Sequence, residues 1–356
     1  ISRLLLFLSL IFLVSLSLGA RARLNKTTAA DLGIPTINFA KSAYDWDNCG
    51  KSTAGRARRD MGDDYIDGMD FELGETGDAA VGEIPWAVAI FINVPDLPPR
   101  VCAGTLISRR HVLSAAHCLS TANEIPVNPG YVRCKPKDHI SLHDFIHYSE
   151  VKYGGECIRG AACADESMAA ETAFIKGVTL FPFFWEDCSR GSDLVIIELQ
   201  NDVNVPHACL PHLHDLEDPT LRNTTFHTFG WGADKSKGIA QADRLQKTSL
   251  SLLEDRCSKY WDFLSKDVLC AAPGKHIGQC LGDSGAGLMT ISHNRAFIIG
   301  VLSSSGSCAP AGSQLTPESR FTDVRLFTAN IDAALNTIGP LPDLSEIFIK
   351  DKKVEL

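Results

Sequence analysis

The sequence predicts an all-β protein. From Glu83 onward, short apolar runs alternate with turns rich in glycine and proline, as at residues 86–92, 194–197 and 297–302. Many short strands between turn signals favour a β-sandwich or a β-barrel. Leu326, Ile331 and Leu335 then recur at roughly helical spacing and predict one closing helix over residues 326–337. The tail of residues 339–356 is expected to be loosely held.

The first twenty residues have the composition of a secretory signal peptide. Arg3 precedes an apolar run, residues 4–14, and small residues end the segment at Gly19 and Ala20. A transmembrane anchor is the alternative, but this run is shorter than the ~20 apolar residues that a span requires. We therefore expect cleavage after Gly19 or Ala20 and a secreted, extracellular protein with no membrane association after cleavage.

Other features fit the secretory pathway. The chain has 12 cysteines, an even number that normally pairs in an oxidising compartment. Asn25 and Asn223 begin glycosylation sequons. The net charge of −9 argues against a nucleic-acid partner, since such partners bind basic surfaces.

Residues 21–70 form a polar stretch that contains Cys49 and a basic cluster at residues 56–59. The acidic, glycine-rich run of residues 60–77 follows and has neither helical nor strand periodicity. We interpret this polar region as an exposed pro-segment or linker, and assign residues 21–70 as the pro-segment of a zymogen.

The segment around Ser284 can activate a nucleophile. A serine hydroxyl needs a base, and the oxyanion that it creates needs hydrogen-bond donors. The surrounding glycines let the backbone turn tightly, so that the amides of Gly282 and Ser284 point at one spot. Asp283 can anchor a buried amino terminus. Taken alone, these residues also suit an ordinary turn.

Two other segments supply a histidine and an aspartate. Small residues at 114–116 let the ring of His117 project from a tight turn, and Cys118 can pin that turn to Cys102. Asp193 opens an apolar run that predicts a buried strand. A lone histidine is more often structural, and Asp193 alone suits a turn equally well.

Together these segments resemble the trypsin/chymotrypsin family of serine proteases, in which His, Asp and Ser follow in this order. The resemblance covers roughly residues 71–338. Within the family, the sequence looks most similar to the divergent trypsin-like proteins of nematodes. Its markers stand in family order at residues 82–86, 102–107, 114–118, 192–194, 209–211, 230–232 and 282–285.

The resemblance implies two packed, six-stranded antiparallel β-barrels and a C-terminal helix. It also implies a catalytic triad: His117 is the general base and then the acid, Asp193 orients it, and Ser284 is the nucleophile. Gly282 and Ser284 would supply the oxyanion-hole amides, and Asp283 the activation salt bridge. The implied partners are protein or peptide substrates and protease inhibitors, with no cofactor.

The resemblance further implies a set of disulfides, namely Cys102–Cys118, Cys257–Cys270, Cys280–Cys308 and Cys49–Cys209. The last would tether the pro-segment. The remaining cysteines lie between His117 and Asp193, and three pairings of them stay open. They are Cys134, Cys157, Cys163 and Cys188.

The specificity pocket departs from that of trypsin. The residue six positions before the nucleophile, an aspartate in trypsins, is Gly278. The resemblance places one pocket wall at residues 303–305, where Ser304 replaces the usual tryptophan, and the other near Ser319. Lining residues are thus Gly278, Ser303, Ser305 and Ser319. We expect cleavage after small or medium apolar residues, or after Arg and Lys if Glu318 turns inward.

The activation sequence also departs from the pattern of the family. The family is normally cut after Arg or Lys, just before an Ile-Val-Gly-Gly-like sequence, but residues 71–74 here follow Asp70. The activating event therefore stays open. A non-catalytic, protease-fold binding protein is the alternative function, and an adhesive matrix protein is a third.

His139, His143 and His147 recur every four residues, with Asp138 and Asp144 alongside. On a helix they would share one face and could hold zinc. A solvated or partly packed face is the preferred interpretation, so we expect no metal.

Overall fold

The chain folds around two barrels, seen here in a computed structural model. The described residues are 48–53, 73, 76–121, 139–159, 168–181, 191–211, 225–233, 241–253, 267–273, 283–292, 294–305 and 318–336. They belong to one compact unit of residues 43–356. The signal segment, the sequon asparagines Asn25 and Asn223, and the C-terminal tail lie outside the described residues.

The first barrel closes in the order β2-β3-β4-β7-β6-β5, with every pairing antiparallel. Strands β2 and β7 are buried along nearly their whole length, which explains why their sequences are continuous apolar runs. The strands are β2 (Ala87–Ile92), β3 (Arg100–Leu106), β4 (His111–Ser114), β5 (Ser149–Tyr153), β6 (Glu171–Leu180) and β7 (Val195–Leu199).

The second barrel follows the order β9-β10-β13-β12-β11-β8 and is closed by the pairing of β8 with β9. A short strand, β1 (Gly77–Asp78), adds to the outside of β9. The barrel strands are β8 (Phe226–Gly230), β9 (Gln246–Leu252), β10 (Val268–Pro273), β11 (Gly287–Ser292), β12 (Arg295–Ser305) and β13 (Ser319–Asp323).

Two α-helices accompany the barrels. Helix α1 (Leu142–Tyr148) precedes β5, and helix α2 (Thr328–Asn336) closes the described chain after a 3-10 turn at Val324–Phe327. The predicted double barrel with a C-terminal helix is therefore confirmed. Helix α2 starts two residues later than predicted, because Leu326 lies in the 3-10 turn and is 60% exposed. No helix within the described ranges is long and apolar enough to cross a membrane.

Buried tryptophans connect the two barrels. Trp86, immediately before β2, is fully buried, and its indole N–H lies 3.0 Å from the sulfur of Met289 in β11. The indole N–H of Trp231 donates to the carbonyl of Glu156. Because each buried indole needs a polar partner, these contacts fix how the loops between the barrels pack.

Part of the predicted pro-segment is docked on the barrels. Cys49 is 1% exposed and forms a disulfide with Cys209, as the resemblance implied. The amide of Gly50 donates to the carbonyl of His207, and the amide of Thr53 donates to the carbonyl of Gly82. These backbone contacts and the disulfide hold residues 48–53 of the predicted pro-segment against the barrels.

A buried histidine should make stability depend on pH. His227 in β8 is 7% exposed, and its pKa is lowered to about 4 by burial and then by the positive charge of Lys247. The unfolded chain takes up that proton near pH 6.5, so protonation favours unfolding as the pH falls from 6.5 towards 4. The free energy of unfolding should drop by about 2 kcal/mol across this window.

Denaturant unfolding at pH 7 and pH 4.5 measures this effect. His227→Gln should lose less stability than the wild type over the same interval, because glutamine does not titrate. His143→Gln removes a histidine that is 86% exposed and should behave like the wild type. Equal losses in the wild type and His227→Gln would contradict the assignment.

Candidate active site

A buried aspartate and a histidine form the centre of the site. Nδ1 of His117 lies 2.7 Å from Oδ2 of Asp193, and the backbone amide of His117 donates to Oδ1 over 2.8 Å. The side chain of Asp193 is 5% exposed and that of His117 is 13% exposed. A carboxylate in this position selects the imidazole tautomer with the proton on Nδ1, which leaves Nε2 available as a base.

The local chain explains the position of His117. Strand β4 ends at Ser114, and the following 3-10 turn, Ala116–Leu119, carries the ring out of the barrel wall. The disulfide Cys102–Cys118 joins this turn to β3, as the resemblance implied. The structure therefore confirms the predicted tight turn and its disulfide between Cys118 and Cys102.

Asp193 is presented by a strained turn just before β7. Ser192 adopts a left-handed backbone conformation with φ of 62°, which is unusual for a residue other than glycine. Its amide donates to Oδ2 of Asp267 over 2.6 Å, within the buried interior. This bond holds the turn and thereby directs the carboxylate of Asp193 at His117.

Ser303 has a role that the sequence did not reveal. Its hydroxyl donates to Oδ2 of Asp193 over 2.6 Å. The register of β12 against β13 shifts between Leu302 and Ser304, so Ser303 sits in a bulge that turns its side chain to the triad. The hydroxyl of Ser303 therefore helps to hold Asp193, and the place of Ser303 in the specificity pocket stays a prediction.

Ser284 lies on a turn that crosses from the second barrel to the first. Its carbonyl accepts a hydrogen bond of 2.8 Å from the amide of Ala103 in β3, and the sulfur of Cys118 lies 3.8 Å from the same oxygen. Ser284 thus lies against the elements that carry His117. Among the described residues no hydrogen bond joins Ser284 to His117; such bonds are often long in free enzymes.

Asp283 is held beside the glycines of a neighbouring loop. Its side chain is buried, and Oδ1 accepts a hydrogen bond of 2.8 Å from the amide of Gly232. A Cβ atom at Gly230 would lie 2.0 Å from Oδ1 of Asp283, so only glycine fits there. The activation salt bridge of Asp283 stays a prediction. Leu73, in the region expected to supply the new amine, is 8% exposed.

The structure covers the other predicted site residues in part. Ser319 is fully buried, and its partner in the sheet is Ser305. Gly278 and Gly282 lie outside the described residues. Cys157 and Cys270 are each disulfide-bonded. Cys134, Cys163, Cys188, Cys257, Cys280 and Cys308 also lie outside the described part of the chain.

The histidine cluster falls partly on α1. His143 and His147 are stacked with ring centroids 6.1 Å apart, and the side chain of His143 is 86% exposed. His139 precedes the helix, and Nδ1 of its ring lies 2.9 Å from the carbonyl oxygen of Ile140. Asp138 lies outside the described residues. No group of three potential ligands able to hold a metal occurs among the residues that the structure describes.

Gly285 should be essential for docking the Ser284 turn. Its φ of 87° is left-handed, and a Cβ atom there would lie 2.1 Å from the Ser114 hydroxyl and 2.3 Å from the Ala103 carbonyl. Gly285→Ala should therefore lower the free energy of unfolding by more than about 2 kcal/mol. Denaturant melts measure this loss.

The matched control is Gly177→Ala in β6. A Cβ atom at Gly177 would meet its nearest neighbour, the carboxylate of Glu198, at 3.6 Å, which is ordinary contact. This variant should stay within about 0.5 kcal/mol of the wild type. Similar behaviour of the two alanine variants would argue against a tight approach at Gly285.

Comparison with known proteins places the chain in a family. The trypsin family model matches residues 75–153 and 167–324. A trypsin-like protease of Caenorhabditis elegans, try-5, is 30% identical over 68% of this chain and 80% of its own length. Phenoloxidase-activating factor 3 of Holotrichia diomphalia is 30% identical over 68% of each chain. The venom serine protease Bi-VSP of Bombus ignitus is 29% identical over 66% of this chain and 61% of its own length. The chain therefore belongs to the trypsin family of serine proteases.

Proposed function

We propose that the protein is a secreted serine endopeptidase that hydrolyses peptide bonds through an acyl-enzyme. The observation that carries this proposal is the buried hydrogen bond between His117 and Asp193, with the Ser284 turn docked beside it. A buried carboxylate is tolerated only where donors surround it, and here the donors include the imidazole ring that would act as the base.

The first half of the reaction forms the acyl-enzyme. Nε2 of His117 takes the proton from the Ser284 hydroxyl as Oγ attacks the substrate carbonyl carbon. His117 then gives this proton to the leaving amine, and the peptide bond breaks. Asp193 stabilises the imidazolium, because its carboxylate already accepts hydrogen bonds from Nδ1 and from the backbone amide of the same histidine.

The second half releases the product. His117 takes a proton from a water molecule, whose oxygen attacks the acyl carbon, and returns the proton to Oγ of Ser284. Backbone amides of Gly282 and Ser284 would stabilise the oxyanion in both halves. Removing one such donor typically lowers kcat by a factor of about 10²–10³. The rate should therefore depend on how activation places the segment that carries these two amides.

The family and its relatives support a protein substrate. Two of the similar proteins are named as proteases, and the third is named as an activating factor of phenoloxidase. For this chain we propose protein or peptide substrates, with protease inhibitors as further partners. The signal peptide predicted for residues 1–20 and the Cys49–Cys209 disulfide support the proposal of secretion.

Covalent labelling tests the catalytic proposal. A fluorophosphonate probe should modify Ser284 in protein that has been cut between residues 54 and 72, because the probe reacts only with an activated serine. Asp193→Asn should react on the order of 10⁴ times more slowly, since the wrong imidazole tautomer then faces Ser284. Intact-mass spectrometry and probe fluorescence measure the adduct.

Ser284→Ala is the control, and it should carry no adduct. Absence of labelling in folded, cut protein would favour the non-catalytic binding protein instead. Amino-terminal sequencing of the secreted protein identifies the cut that precedes labelling, and it should lie near residue 71 rather than only at the signal site.

The preferred substrate residue before the cut is proposed to be small or medium and apolar. Gly278 supplies no carboxylate for a substrate cation, and an unpaired buried cation costs several kcal/mol. An apolar side chain gains about 25 cal/mol for each Å² removed from water.

A peptide-library cleavage profile should therefore show Ala, Val, Leu or Met before the cut bond. Ser305, in place of the family's glycine, disfavours the largest aromatic side chains. Dominant cleavage after Arg or Lys, abolished by Glu318→Ala, would overturn this specificity and indicate that Glu318 turns inward as an acidic wall of the pocket.

A further inference from the structure

The turn that carries Asp193 is anchored on the second barrel by Asp267. This turn lies just before β7 of the first barrel, whereas Asp267 lies immediately before β10 of the second. Oδ2 of Asp267 accepts a hydrogen bond of 2.6 Å from the backbone amide of Ser192, and both residues are buried. This hydrogen bond therefore joins the two barrels beside the triad.

The backbone of Asp267 is itself fixed by the second barrel. Its carbonyl accepts a hydrogen bond of 2.7 Å from the amide of Asp323, the last residue of β13. The next residue, Val268, pairs with Thr322 of the same strand. Because the sheet holds the backbone of Asp267 on both counts, its carboxylate is a fixed acceptor for a turn that belongs to the other barrel.

Ser192 needs an external anchor more than its neighbour does. Gly191 and Ser192 both have left-handed backbone conformations, with φ of 87° and 62°. Glycine adopts this region freely, whereas the Cβ atom of serine disfavours it. Without the carboxylate of Asp267, the buried amide of Ser192 would also lose its acceptor. Both effects favour a relaxed turn, and Asp193, the next residue, would move with it.

Such a movement would act on the contact between Asp193 and His117. The two oxygens of Asp193 lie 2.8 and 2.7 Å from the backbone amide and from Nδ1 of His117. A misplacement of about 1 Å at a catalytic centre can cost on the order of 10²-fold in rate. Ser303 also holds the Asp193 carboxylate, so a relaxed turn should impair the triad without abolishing it.

We infer that Asp267 is a positioning residue for the triad. Its carboxylate, fixed on the second barrel, holds Ser192 in the left-handed conformation and thereby keeps Asp193 within hydrogen-bond distance of His117. This inference rests on the proposed endopeptidase function for its effect on catalysis.

The proton between Nδ1 of His117 and the carboxylate of Asp193 tests the inference without requiring activity. In the full chain this proton should give a low-field nuclear magnetic resonance signal, because it lies in a short, charge-assisted hydrogen bond. His117→Ala identifies the signal, which should be absent from that variant. In Asp267→Ala the signal should weaken and move upfield. Asp267→Asn keeps an oxygen acceptor for the Ser192 amide and should keep the signal.

Hydrolysis of a peptide amide by the cut protein gives the catalytic readout. Asp267→Ala should lower kcat about 10- to 100-fold and change KM by less than about twofold, because the buried turn positions the triad rather than binding substrate. Asp267→Asn should stay within about threefold of the wild-type kcat. If Asp267→Ala does not fold, Asp267→Leu takes its place, since leucine fills a similar volume without an acceptor.

A second substitution separates positioning from folding. Ser192→Gly, added to Asp267→Ala, removes the Cβ atom that opposes the left-handed conformation, so the turn can keep its shape without the anchor. The double variant should recover the low-field signal and return to within about fivefold of the wild-type kcat.

The control is Asp202→Ala. Asp202 lies beyond the other end of β7, and its side chain is 49% exposed and pairs with Arg110. Loss of this carboxylate should leave both the signal and kcat unchanged.

Three results would overturn the inference. They are an unmoved His117 signal in Asp267→Ala, no recovery of kcat when Ser192→Gly is added, and failure of every Asp267 variant to fold, which would make Asp267 a residue of folding alone. A wild type that shows the signal but hydrolyses no peptide after cutting would contradict the proposed function and leave the positioning role supported by the signal.

Discussion

The burial of the Asp193 carboxylate is the constraint on which the site depends. A buried charge is tolerated only when donors surround it, and Asp193 receives the amide and ring of His117 and the hydroxyl of Ser303. These donors come from the turn after β4 in the first barrel and from a bulge in β12 of the second. Because donors from both barrels must bind this one carboxylate, its hydrogen bonds fix the two barrels relative to each other.

The position of Ser284, the proposed nucleophile, depends on a second contact between the two barrels. The turn carrying Ser284 meets β3 through the hydrogen bond from Ala103, and Gly285 allows an approach too close for any side chain. Closed barrels provide the rigid walls that this contact needs, because a closed sheet has no free edge to slip. The position of Ser284 is thus set by the contact between its turn and strand β3, and not by the turn alone.

Charge placement distinguishes this member of the family from the pattern that its motifs suggest. Serine at position 304, where the family has tryptophan, provides a hydroxyl that binds Arg320. The residue before it, Ser303, donates to the carboxylate of Asp193. Two consecutive serines of β12 therefore contact Asp193 and Arg320 of the neighbouring strand β13.

The sequence determined the all-β class and the closing helix, because strand patterning and helical spacing are local. The double barrel, the roles expected of His117, Asp193 and Ser284, and the pairs Cys49–Cys209 and Cys102–Cys118 followed from family resemblance. Only the tertiary structure decided that Ser303 donates to Asp193, that Arg320 donates to Ser304 and that residues 48–53 are docked. These features depend on a bulge and on pairing between residues distant in sequence, and such pairing leaves no periodic signal in either segment.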